Sequence, residues 1–344
     1  MQYQELPIPA HFNPAKVGEV WKVPYEERAG EAREWADEHD IQPSTGDDFR
    51  IGLMLIDVQN TFCLPDFELF VAGRSGTGAV DDNRRLCQFI YRNLGAITEI
   101  TATLDTHAPM QIFHATFLVD EEGEHPDPMT LVSAQDIQSG RWKFNPALVD
   151  TLGITSDYGQ QHIEHYVEEL QAREKYDLTI WPYHAILGGI GHALVSAVEE
   201  TLFFHSITRY SPVDFVVKGD NPLTEHYSAV GPEVLTDPKG EKIAQKSSKF
   251  VEKLAEYDLA IITGQAKSHC LAWTISDLLE DIRTRDESLV RKVYLLEDTT
   301  SAVVVPSVVD YTEEADAAFQ RFAEAGMHVV SSSDPIATWP GVTP

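Results

Sequence analysis

The sequence predicts an α/β chain built on a parallel sheet, and two observations point to it. From Arg50 onward, short apolar runs of strand length alternate with amphipathic stretches of helical period, the signature of βαβ units. Three of those runs close on a polar residue: Asp57 in IGLMLIDVQNTF, Lys218 in DFVVKGDNP, and Cys270 after YDLAIITGQ. In an open parallel sheet the carboxyl ends of the strands meet at one crevice, so the three side chains are expected to converge.

The elements follow in order. Residues 1–48, rich in Pro, Glu and Ala, read as an extension with one short helix near EERAGEAREWADEH that wraps the core or mediates assembly. Residues 49–344 read as one domain. Strands are expected at 50–57, 97–105, 177–181, 213–218, 257–263, 292–297 and 327–331. Helices are expected at 80–94, 158–174, 190–207, 246–255, 268–283 and 312–325. Between about 110 and 157 the rhythm breaks over HPDP and charged turns, a stretch too long for an ordinary βα connection. It reads as an insertion that caps the crevice.

Bulk composition excludes some classes of function. Fifty-five acidic against 26 basic residues give a net charge of −29, which argues against nucleic acid or an anionic membrane as partner. No apolar run approaches the ~20 residues that span a bilayer, and the first residues do not read as a signal peptide, so a cytoplasmic location is expected. Three cysteines without a CxxC pair indicate neither a disulfide framework nor a thiolate zinc cluster. Cys87, at helical spacing in NRRLCQFIYRNL, reads as a small buried hydrophobe. A homo-oligomer is expected.

Cys270 is the natural nucleophile. It opens a helical stretch, where the helix dipole and the first unpaired N–H groups favour thiolate. Asp57 and Lys218 supply a base and a charge partner. Taken singly, Asp57 also reads as a turn or capping residue and Lys218 as a snorkelling side chain. A second cluster lies in LDTHAPMQIFH and WPYHAILGG, where Asp105, His107 and His184 close further strands. One carboxylate and two imidazoles suit Zn²⁺, Fe²⁺ or Mn²⁺. His114 is a further candidate ligand. His162 and His165, three apart on an acidic helix, read as a solvated face. His192, His205 and His226 read as packed or surface histidines.

In these segments the chain resembles the isochorismatase-like cysteine hydrolases, and within them the nicotinamidase branch. IDVQNTF, LDTHAP, WPYH, VVKGDNPLTEHYSAV and TGQAKSHCLAWTISDL stand in that family's order, over about residues 50–334. The resemblance implies a doubly wound, mainly parallel six-stranded sheet with helices on both faces. It implies a triad of Asp57, Lys218 and Cys270, in which Cys270 attacks an amide carbonyl and Asp57 first takes and later returns a proton. It implies backbone oxyanion donors at Ala266 and Cys270, and a cis peptide just before Ala266. Asp105, His107 and His184 would hold a divalent metal, zinc foremost, that binds a pyridine nitrogen. Phe62 and Trp181 would sandwich the ring of a small amide, nicotinamide foremost. The chain departs from the family at Ala185, at Val230 and in the length of the 110–180 region. Two rival readings follow: a metal-free hydrolase of another amide, a carbamoyl compound or isochorismate, and a non-catalytic scaffold or binding module.

Overall fold

The computed structural model describes residues 5–173 and 175–342. Six parallel strands form the central sheet: β1 (Ile51–Ile56), β2 (Ile97–Asp105), β3 (Asp214–Lys218), β4 (Leu259–Gly264), β5 (Val293–Leu296) and β6 (His328–Val330). Their spatial order is β6-β5-β4-β1-β2-β3, so the chain starts in the middle and winds outward in both directions. The order reverses beside β1, and the crevice of a doubly wound sheet opens there.

Alternation along β1 shows how one strand serves two cores. Ile51, Leu53 and Leu55 meet Leu86, Phe89 and Ile90 of α2 (Gly78–Arg92), with Val198 and Leu202 of α4 (Ser196–Arg209). Met54 and Ile56 belong to the opposite core, with Ile163 of α3 (Ser156–Ala172). That core also holds Leu254 of α5 (Lys249–Glu256), Leu271 and Ile275 of α6 (Cys270–Arg285) and Phe319 of α7 (Thr312–Glu324). Both faces are covered, and for that reason β1 and β4 read as unbroken apolar runs. Gly52 is the one β1 residue without a side chain: a Cβ there would lie 2.2 Å from the Tyr257 ring.

Residues 5–48 lie against the α2/α4 face. The helix α1 (Tyr25–Glu38) packs on α4, with Ala32 fully buried and Arg28 Nε donating to Glu200 Oε1 at 2.7 Å. Arg209 at the end of α4 donates to the Gln42 carbonyl and pairs with Asp47.

Two expectations need correction. The run 177–181 is not a strand of the main sheet. Only Leu178–Thr179 is extended, and it pairs antiparallel with Leu131–Val132. The two extended residues find their backbone partners in the insertion, and Pro182, which has no N–H to give a ladder, follows the run. His162 is not on a solvated face: it is fully buried, its Nε2 donating to the Leu223 carbonyl at 2.7 Å. The acidic composition of α3 hid an inner stripe that packs on the loop after β3.

Gly52→Ala should destabilise the fold by roughly 1–3 kcal/mol, because the Tyr257 ring must leave its place to admit a methyl group. Urea unfolding measures it, with the slope unchanged and the midpoint lowered.

Candidate active site

At the carboxyl end of β1 the chain turns at Asp57, whose φ of 47° lies in the left-handed region that Asp tolerates better than most residues. The carboxyl group is fully buried. Thr103 of β2 holds it twice: its Oγ1 accepts from Asp57 N at 2.9 Å and donates to Asp57 Oδ1 at 2.5 Å. Two strands away, Lys218 closes β3 and is 1 % exposed. Its Nζ lies 2.9 Å from Asp57 Oδ2 and donates to Asp105 Oδ1 at 2.9 Å and to the His226 carbonyl at 2.8 Å. The Asp57 Oδ2 contact is close but lacks hydrogen-bond alignment, which leaves that oxygen able to accept a proton.

Cys270 is the first residue of α6, 7 % exposed, with its Sγ 3.7 Å from Lys218 Nζ. The three predicted residues are therefore together, but the resting charge differs from the sequence expectation. Burial pushes the Cys270 thiol well above its usual range, Lys218 opposes this, and Asp57 and Asp105 add to it. A helix N-terminus favours thiolate by ~1 kcal/mol, and burial works against it. Burial likewise raises the Asp57 carboxyl against the pull of Lys218, toward the range useful for a base. Burial lowers Lys218, but Asp105 and Asp57 outweigh it and hold the group cationic.

The N–H groups of Ala266 and Cys270 have no partner among the described residues, and both residues line the same cavity. The peptide between Gln265 and Ala266 is cis, as the resemblance implied.

Asp105, His107 and His184 are also together, all buried, with one potential ligand atom from each within 4.8 Å of the others. His107 Nδ1 meets the Gly219 carbonyl at 3.0 Å and His184 Nδ1 meets the Pro182 carbonyl at 2.8 Å. A carbonyl only accepts, so both Nδ1 atoms carry hydrogen. The two Nε2 atoms lie 2.9 and 3.8 Å from Asp105 Oδ2. Each Nε2 lone pair thus faces a carboxylate oxygen. A proton on His107 would satisfy one of those contacts, whereas a divalent cation satisfies all three groups, so the donor set fits a metal ion. Burial pushes Asp105 up, but His107 and Lys218 outweigh it and hold the carboxyl well below the usual range. His184 is held neutral, its pKa down to about 3 through burial and His107. His114 is buried with an unpartnered Nε2, its ring about 6.0 Å from that of His184, outside the three-residue group.

Cys270, Ala266, Asp105, His107 and His184 line one cavity of about 240 Å³. Phe62 and Trp181 line it, with Leu69, Met129 and Val303. Met129 comes from the 110–157 insertion, so that segment contributes a wall. Trp181 is fixed by its Nε1, which donates to Glu225 Oε1 at 2.8 Å and Tyr227 OH at 2.9 Å. Sequence reasoning missed Thr103, Glu225, Tyr227 and His269. Only the EHYS stretch carried a signal, two polar residues flanking an aromatic just after Lys218. His226, read as packed or surface, lines the cavity and takes the Gly219 N–H on Nδ1 at 3.1 Å.

The fold and these side chains define a doubly wound α/β chain with a buried thiol, ammonium and carboxyl at its strand ends. No protein-family model and no curated protein matches the chain. Among solved structures it is similar to the yeast nicotinamidase Pnc1p bound to the inhibitor nicotinaldehyde, at 18% identity and a TM-score of 0.49, over 82% of this chain and 99% of that one. It is also similar to an Acinetobacter baumanii nicotinamidase/pyrazinamidase, at 17% identity and a TM-score of 0.47, over 83% and 97%. A third is the pyrazinamidase of Pyrococcus horikoshii in complex with zinc, at 17% identity and a TM-score of 0.41, over 82% and 99%.

Burial holds several imidazoles neutral: His205 at about 4, His226 at about 3 and His269 at about 3. Unfolded, each titrates near 6.5. Between those values the unfolded chain binds protons that the folded one does not, so stability falls as pH drops from 6.5 toward 4. Thermal melts across that window should show a falling Tm, and a flat profile would contradict this burial.

Proposed function

We propose that this chain is a cysteine hydrolase of small aromatic amides, with nicotinamide to nicotinate and ammonia as the leading case. The observation that carries the proposal is Lys218 Nζ, 2.9 Å from Asp57 Oδ2 and 3.7 Å from Cys270 Sγ, with the unpartnered N–H groups of Ala266 and Cys270 on residues of the same cavity wall. A nucleophile, a base, a fixed positive charge and an oxyanion site are the parts that acyl transfer needs.

The reaction follows from the resting charges. As Cys270 Sγ attacks the amide carbon, its proton passes to Asp57, because a standing thiolate is disfavoured by burial. The carbonyl oxygen gains charge facing the N–H groups of Ala266 and Cys270. When the C–N bond breaks, the Asp57 proton goes to the nitrogen, which leaves as ammonia and a thioester on Cys270 remains. Water then yields a proton to Asp57 and attacks the thioester. The carbon–sulfur bond breaks, and the sulfur recovers its proton from Asp57. Lys218 stays cationic throughout and offsets the negative charge that moves between carboxyl and sulfur.

Asp105, His107 and His184 would hold a divalent metal, zinc by the imidazole and carboxylate donor set. When bound, such an ion supplies a Lewis-acid anchor for a ring nitrogen. Phe62 and Trp181 offer flat walls to a planar ring. The cavity size agrees: a cavity of roughly 150 Å³ accepts benzene, and about 240 Å³ suits one ring bearing a carboxamide.

Purified protein should release ammonia from nicotinamide, and Cys270→Ala should abolish release. Asp57→Asn should lower kcat by at least ~10³-fold, as loss of a base that serves both half-reactions requires. Exhaustive chelation should lower release, with zinc restoring it. No ammonia from nicotinamide or from a panel of one-ring amides, with Cys270→Ala indistinguishable from wild type, would refute the proposal.

A further inference from the structure

We propose that Asp82 is a positioning residue for this reaction: through Gln265 it fixes the turn that presents the Ala266 N–H to the substrate oxygen. The inference rests on the function proposed above. Asp82 lies on α2 and is 1 % exposed, yet it touches neither the cavity nor the reacting groups. A buried carboxyl is costly unless it is partnered, so its partners show what it is for. Its Oδ2 accepts from Gln265 Nε2 at 2.9 Å, and its Oδ1 pairs with Arg85 Nη2 at 2.8 Å.

Gln265 is the residue that joins this acid to the site. Its backbone N donates to the carbonyl of Ile56, the residue before Asp57, at 2.8 Å. Its Oε1 accepts from Ser301 N at 3.3 Å. Three elements thus hold one side chain and its backbone: α2, the end of β1 and the segment after β5. The neighbours of Ala266 are held as well. Lys267 N donates to the Ser301 carbonyl at 2.8 Å, and Thr300 Oγ1 donates to the Gly264 carbonyl at 2.6 Å. Ala266 sits between two clamped residues with its own N–H unpartnered among the described residues and its place on the cavity wall. A donor held still by its neighbours and left free for a ligand is what electrostatic preorganisation requires. Asp82 is the part of that clamp reached from another layer of the fold.

A positioning role predicts a loss confined to the tetrahedral state. The probes are nicotinamide as substrate, nicotinate for the ground state, and pyridine-3-carbaldehyde, which adds to the thiol to form a tetrahedral hemithioacetal. Asp82→Asn keeps the shape but replaces one acceptor by a donor. It should lower kcat and aldehyde affinity by a common factor of roughly 10², the cost of misplacing a reacting group by about 1 Å. KM, nicotinate binding and the rate at which iodoacetamide alkylates Cys270 should stay at wild-type values. Gln265→Met should give the same pattern, and the double variant should lose no more than either single one, since both break the same connection. If Asp82→Asn does not fold, Arg85→Gln withdraws one of Asp82's partners from a side chain 42 % exposed, and should lower kcat and aldehyde affinity together. Wild-type kcat and aldehyde affinity in the folded variants would overturn the inference alone. So would equal losses in nicotinate binding and alkylation, which mark a general structural role. Wild-type protein that neither hydrolyses the amide nor binds the aldehyde would overturn the proposed function and this inference with it.

Discussion

The site is built around one buried ammonium. Lys218 Nζ has carboxylate oxygens of Asp57 and Asp105 each at 2.9 Å, the His226 carbonyl at 2.8 Å and Cys270 Sγ at 3.7 Å. A lone buried charge of this kind would cost several kcal/mol, and here the two acids and one carbonyl offset it. The same cation links two half-sites. On one side, in the proposed reaction, Asp57 and Cys270 exchange a proton, and on the other Asp105 belongs to the group that fits a metal. Removing Lys218 would leave two buried carboxylates facing each other without a counter-charge.

Sheet topology is what brings the parts within reach. β1, β2, β3 and β4 are neighbours, and Asp57, Asp105 and Lys218 close or follow three of them, while Cys270 opens the helix after the fourth. In register, Asp105 sits opposite Lys218, so their contact is a consequence of strand pairing. Cys270 depends on the turn from Gln265 to His269, which lies between β4 and α6. That segment is held by side chains and backbone groups from α2, β1 and the residues after β5, and the polar clamp behind it follows from that need.

Much of this could be read from the sequence because strand ends are legible. Apolar runs of strand length marked the six main strands, and the Asp, Lys or D-x-H closing three of them pointed to Asp57, Lys218, Asp105 and His107, while His184 follows a run that lies outside the main sheet. Other contributions left no such mark. Thr103 looks like any β-branched strand residue, and its double bond to Asp57 exists only once β1 and β2 are paired. Asp82 is one of two adjacent acids on an amphipathic helix and Gln265 ends a strand-like run, and nothing local joins them, since their contact spans 183 positions. His162 misled in the opposite sense, because local composition does not show what a later loop will cover. Burial of Cys270, which works against the helix-end effect that its sequence position suggests, was equally invisible in the sequence.

The most direct test of the central claim is to look for the covalent intermediate. Protein mixed with nicotinamide and quenched in acid within the first turnovers should carry a pyridine-3-carbonyl group on Cys270, located by peptide mass spectrometry. The adduct should be absent in Cys270→Ala and should disappear as nicotinate forms. Turnover of nicotinamide with Cys270 unmodified at every time point, or an adduct on another residue, would contradict the account.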